Sequence, residues 1–232
     1  MKYRIFILML CCVVLLTAVS CSDAGSEESA GASGTRVSEF LNAHFAHSKL
    51  VEFGGDAYIS GEMNQLLFAI GVHEGGIYQY PLHTREGITN EQIEENIANV
   101  FGREILAKLD YSFIPAEYDA NTGKYTPSEY SARAAYVYFA LDVWELSEGV
   151  FRAVVAYTEE SNGVIVAFDA DGNRVIYEAV ESLYEAGERD RARGELEGYV
   201  RNAPEKYETM AIVVDFNEGG GHILSAELIG NG

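Results

Sequence analysis

From Ala135 to Trp144 the chain is written with a period of two, and this alternation limits the possible folds more than any other feature. Val137, Phe139, Leu141 and Val143 fall on one side of an extended segment, and Tyr136, Tyr138 and Trp144 on the other. Val150–Thr158 and Val164–Phe168 follow as second and third strands. Asp171-Gly172 then turns the chain into Arg174–Tyr177, and Met210–Phe216 with His222–Leu228 closes it as a hairpin across Asn217–Gly221. Strands that are apolar on both sides cannot leave both in water, so another layer must cover them.

The N-terminal part of the chain can supply that layer. Val37, Phe40, Leu41, His44, Phe45 and Leu50 recur at helical spacing, with Ser38 able to start the helix, and ordered structure is expected from about Val37. Met63–Val72 reads as a buried helix ending near Gly75-Gly76. A third helix has the clearest signature. Thr89 is a good N-cap, Gln92 stands three residues later, and Ile93, Ile97, Val100 and Phe101 form one face. Gly102 breaks that helix before Ile105 and Leu106. Tyr111–Ile114 and Tyr125 flank a turn-rich stretch, Tyr118–Lys124. Glu178–Arg201 is dense in charge and helical in part, with Gly187, Gly194 and Gly198 weakening it and its topology left open. Helices first and a mostly antiparallel sheet second predict one α+β domain over residues 37–232, with N-terminal helices packed on a curved sheet. After Cys21 there is no cysteine, so this domain has no disulfide and no thiolate chemistry. Roughly 195 residues are enough to build one sizeable core without them.

The first twenty residues have a different purpose. Lys2 and Arg4 precede an unbroken apolar run, Ile5–Leu16, and Thr17-Ala18-Val19-Ser20 brings small residues up to Cys21. This is the order of an export signal, and the apolar run is shorter than the roughly 20 residues a spanning helix needs. Ala18-Val19-Ser20-Cys21 resembles the lipobox of bacterial lipoproteins, with Ala18 where leucine is usual. The resemblance implies cleavage before Cys21, acylation of that cysteine with fatty chains such as palmitate, and residence on the extracytoplasmic face of a cell membrane, the outer membrane included. Ordinary cleavage with release, or an uncleaved anchor, are the other two readings. Ser22–Thr35 has no large apolar residue, so residues 21–36 read as a lipidated terminus and a spacer.

Helices followed by a curved sheet that closes with a long hairpin, Thr209–Phe216 and His222–Leu228, also resemble the NTF2-like, or cystatin-like, domains of small bacterial lipoproteins. That resemblance implies a cone between sheet and helices in which a pocket can form. It rests on the order of elements, and Glu178–Arg201 departs from the short connection usual there, so no functional residue is carried over from it.

Charge narrows the partners. Removing residues 1–20 takes away Lys2 and Arg4 and no acid, so the formal charge moves from −20 to −22. Phosphate backbones repel such a chain, which excludes nucleic acid. His44 and His47 are three apart on a helix, but no third ligand stands at a telling distance, so no metal is expected. Asp169–Asn173 and Asp119–Lys124 look like fragments of calcium loops. Their glycines fall out of place, and both read as turns. Gly219-Gly220-Gly221 lacks the context of a phosphate loop, and no G-x-S-x-G, S-x-x-K or H-E-x-x-H occurs. No cofactor is implied. Tyr136, Tyr138, Trp144 and Tyr157, with Asp142 among them, remain as candidates to contact a sugar, a peptide or another apolar ligand; packing beneath the helices is the competing reading. The sequence therefore points to an envelope lipoprotein that binds a small molecule or an envelope protein without catalysis. A small hydrolase or isomerase with a pocket between sheet and helices is the alternative.

Overall fold

The alternating segment forms a single long strand with an extra residue in its middle. The computed structural model describes residues 24–54, 61–74, 87–113, 116–127, 134–217 and 220–229, so the leader, Cys21, His83 and Gly219 lie outside it. Among the described residues three helices come first: α1 (Ala24–Phe45), α2 (Gly61–Glu74) and α3 (Asn90–Phe101). Short 3-10 turns and a small hairpin follow, β1 (Ala116–Asp119) with β2 (Lys124–Pro127). The main sheet holds β3 (Ala134–Ser147), β4 (Val150–Ser161), β5 (Val164–Phe168), β6 (Arg174–Val175), β7 (Met210–Asp215) and β8 (His222–Leu228). Between β6 and β7 stand α4 (Glu178–Glu185) and α5 (Arg189–Asn202). Among the described residues every strand pairing is antiparallel. The fold is α+β, with helices on a curved sheet.

The sheet curls because two strands leave the same edge of β4. Along its other edge β4 pairs with β3 from end to end. Along this one it pairs with β7 over Val150–Val155 and with β5 over Glu159–Ser161. The inner face rests on α1, α2 and α3. Its core joins Leu41 and Phe45, Leu67 and Phe68, and Ile93 and Ile97 to Tyr138, Val155, Tyr157, Ile212 and Val214 of the strands. Each such aliphatic or aromatic side chain contributes about 1.5–3 kcal/mol when fully buried. The α3 helix starts as its sequence prescribes: the Thr89 side chain accepts from the Gln92 N–H, and the Gln92 side chain accepts from the Thr89 N–H.

Two expectations change. The helix α1 runs back to Ala24, so residues 24–36, read as spacer, supply its first turns. Small side chains made this stretch look unable to bury anything, yet at Gly34 the want of a side chain lets α1 approach Val143 and Ala140 of β3. The second change is a further layer. Helices α4 and α5 cover part of the outer face, where Val180, Ala192, Leu196 and Val200 pack on Phe139, Ala156, Ile165 and Ala167. The N-terminal helices are therefore not the sole cover of the sheet. The acid-rich turns are turns: Asp169 Oδ1 accepts from the N–H groups of Asp171 and Asn173, and Asp119 Oδ1 from that of Asn121.

Candidate functional site

The outer edge of β3 pairs with no strand among the described residues, and a free edge is a hazard that a fold must manage. Here side chains manage it. Asn42 of α1 donates from Nδ2 to the Tyr138 carbonyl and accepts at Oδ1 from the Tyr138 N–H, both at 2.8 Å. One turn earlier Ser38 Oγ accepts from the Ala140 N–H at 2.9 Å. From α5, Arg201 Nη1 donates to the Ala140 carbonyl at 2.7 Å. The Tyr136 N–H donates to the Ala46 carbonyl. Two helices thus stand in for a missing strand.

Between them lies a groove of about 590 Å³, floored by the edge of β3 from Val137 to Val143. On the α1 wall stand Gly31, Gly34, Thr35 and Ser38, at the spacing that shares one helix face, so the wall is set back for want of side chains. A Cβ on Gly34 would sit 3.7 Å from Val143 Cγ2 and 3.9 Å from Ala140 Cβ, which shows how near the backbones come. Glu197 and Arg201 form the α5 wall. They pair at 2.7 Å, and the guanidinium lies 5.2 Å from the centre of the Phe139 ring. Glu39 and Asp142 complete the charged lining. Three carboxylates face one guanidinium that already has partners, so the groove carries a negative excess.

The five candidate ligand contacts do not form one surface. Their alternation holds only to Ala140. There β3 carries a bulge: Ala140 pairs with Val155 and Asp142 with Val154, leaving Leu141 as an extra residue. One extra residue reverses the faces beyond it. Val143 therefore joins the inner core with Tyr136 and Tyr138, and Trp144 moves to the outer face opposite Arg152. Trp144 is 46% exposed, against 1% for Tyr138 and 3% for Tyr157.

Tyr138 and Tyr157 are core residues with their hydroxyls in use. The Tyr138 hydroxyl accepts from the Leu50 N–H at 2.8 Å and donates to the Ser48 carbonyl. The Tyr157 hydroxyl donates to Glu208, which also pairs with Lys49 at 2.8 Å. Burial pushes both phenols well above their usual range, and for Tyr157 the Glu208 charge adds to this. Tyr136 is half-buried, edge-on to Tyr157 at 6.0 Å. Asp142 alone among the five is an exposed side chain lining the groove; Tyr138 reaches it at the strand edge. Sequence reasoning missed Ser38, Glu39, Asn42, Glu197 and Arg201. A signal existed for two of them: Ser38 and Asn42 are polar, one turn apart, beside the apolar stripe of α1.

A second charged cluster lies on the outer side. Glu160 of β4 accepts from Tyr184 and from Arg193, and Arg189 stands 3.8 Å away. Burial raises the Glu160 pKa, but the Tyr184 and Arg193 hydrogen bonds and the two guanidinium charges outweigh it, holding the carboxyl below its usual value. The described residues contain no group of three or more metal-ligating side chains. The chain matches no family model, no curated protein and no solved structure.

Proposed function

We propose that this protein is a lipid-tethered module of the cell envelope that binds a partner or ligand in the groove along the edge of β3. The tether rests on the leader and on Cys21. Among the described residues no helix is long and apolar enough to cross a membrane. The groove is the observation that carries the binding reading: a strand edge held open by two helices, with small residues on one wall and acid on both. A cationic occupant suits it, such as a lysine- or arginine-bearing segment of an envelope protein. The likeness to NTF2-like domains belongs to the same reading, supported by the order of helices and sheet and by the closing hairpin. The hydrolase or isomerase alternative wants converging ionisable groups between helices and sheet. That space is filled by Tyr138, Phe45, Leu67 and Ile97, which favours binding.

Two substitutions test this. Cys21→Ser is expected to move the protein from the membrane to the soluble envelope fraction; continued membrane association with unchanged cleavage overturns the tether. A photoreactive residue at Leu141 in the full-length protein is expected to capture a partner in cells, and Gly31→Leu, which meets no atom within 4 Å of the added Cβ, to abolish the capture. Capture that Gly31→Leu leaves intact overturns the groove, and turnover of an envelope substrate by the pure protein overturns the binding reading.

A further inference from the structure

We propose that the end of the molecule formed by the β3–β4 and β7–β8 turns lies on the bilayer, with Leu146 and Trp144 in the lipid interface. The inference rests on the reading of Cys21 as the lipidated terminus, and adds to it an orientation and a second point of membrane contact.

The argument starts from the antiparallel course of α1 and β3. Asn42 meets Tyr138, Ser38 meets Ala140, and Gly34 meets Val143, so α1 read backwards and β3 read forwards travel the same way. From Gly34 back to Ala24 the helix advances about 15 Å. From Val143 forward to the turn at Glu148-Gly149 the strand advances by a similar length, about 16–20 Å. The start of α1 and the β3–β4 turn therefore end on one level. The β7–β8 turn is fastened to the same level: the Phe216 N–H donates to the Gly149 carbonyl and Asn217 Nδ2 to the Glu148 carbonyl, both at 2.8 Å.

Cys21 stands three residues before Ala24. Three residues reach at most about 10 Å even when fully extended. Lipid on Cys21 therefore brings this end, and no other, within reach of the headgroups. At this end Leu146 is 58% exposed and Trp144 46%, while Leu224, near the start of β8, is 48% exposed. Large apolar side chains in water at the membrane-proximal end are accounted for by an interface that accepts them. Tryptophan in particular favours that boundary, where its ring is apolar and its N–H is wet. The charges nearby select the kind of surface. Near this end Glu145, Glu148, Asp142 and Asp215 outnumber Arg36 and Arg152, an acid excess that disfavours anionic headgroups and suits a zwitterionic surface.

Trp144 is the chain's only tryptophan, so its fluorescence reports this contact alone. The test uses the full-length lipidated protein in phosphatidylcholine vesicles, some with brominated acyl chains. Expected are a blue-shifted emission and loss of fluorescence with the brominated lipid, neither shown by Cys21→Ser in the same vesicles. Leu146→Glu is expected to weaken the quenching while the protein still floats with the vesicles. If the protein floats but its tryptophan is neither shifted nor quenched, the orientation is overturned and the lipid anchor stands. If it carries no lipid and does not float, the anchor is overturned and the orientation with it.

Discussion

Asn42 holds both backbone polar groups of Tyr138, donating to the carbonyl and accepting from the N–H at 2.8 Å each. A side-chain amide here imitates the backbone of an adjacent strand. Asn42→Ala removes both bonds and leaves two partly buried backbone groups without partners. We expect a loss of about 2 kcal/mol, read as a lower urea midpoint with an unchanged slope. Asn42→Asp keeps the acceptor but sets a carboxylate against the Tyr138 carbonyl, and should not restore the wild-type midpoint.

The two buried tyrosines should respond differently to loss of the hydroxyl. Tyr138→Phe orphans the Leu50 N–H in the core and is expected to cost about 1–3 kcal/mol. Tyr157→Phe leaves Glu208 still paired with Lys49, so about 0.5–1.5 kcal/mol is expected. Equal losses in thermal or urea unfolding would contradict this assignment.

Glycine to alanine in a helix ordinarily stabilises, and in α5 it should. Gly194 and Gly198 have no atom within 4 Å of an added Cβ, and either substitution is expected to add about 0.5–1 kcal/mol. Gly71 should reverse the sign. A Cβ there meets Ile93 Cγ2 at 2.8 Å, the Ile93 carbonyl at 2.9 Å and Ile97 Cγ1 at 2.9 Å, so α2 and α3 must separate. Gly71→Ala is expected to destabilise by about 1–3 kcal/mol in the same unfolding assay.

Glu160 gives the acid limb of stability a specific source. Its carboxyl titrates lower in the folded chain than the ordinary 4.5. The stabilisation it contributes is therefore complete above the unfolded value and lost as pH falls through the folded one. Glu160→Gln is expected to be less stable than wild type by about 1–2 kcal/mol at neutral pH. The gap should begin to close below 4.5 and vanish once both forms are neutral. Urea midpoints measured across that range check it, and a gap that widens towards acid would refute it.

Much of the fold could be read where local chemistry decides the structure. Thr89 and Gln92 cap α3 in their own sequence neighbourhood, and Gly102 ends that helix with a φ of +77°. The closing hairpin and the buried run of α2 were likewise local. What escaped depended on distant partners. Nothing in the stretch from Ala24 to Arg36 shows that Gly31, Gly34 and Thr35 line a groove along a strand over a hundred residues away. The outer-face helices were half visible: Ala192, Leu196 and Val200 recur every fourth residue, but arginine and glutamate between them conceal the stripe. The groove was the least legible part, because its two walls belong to opposite ends of the chain and its floor is backbone.

The extra residue at Leu141 lets one strand face two environments. Below it the rings of Tyr136 and Tyr138 are turned to the helices; above it an indole is turned outwards. Chain length between Ala140 and Val143 is thus a switch of parity. Loss of the Asp142 codon alone would drive Trp144 towards the interior and expel Val143, although no amino acid that packs in the core had itself been altered. Tolerance to substitution and tolerance to deletion should part company at this spot.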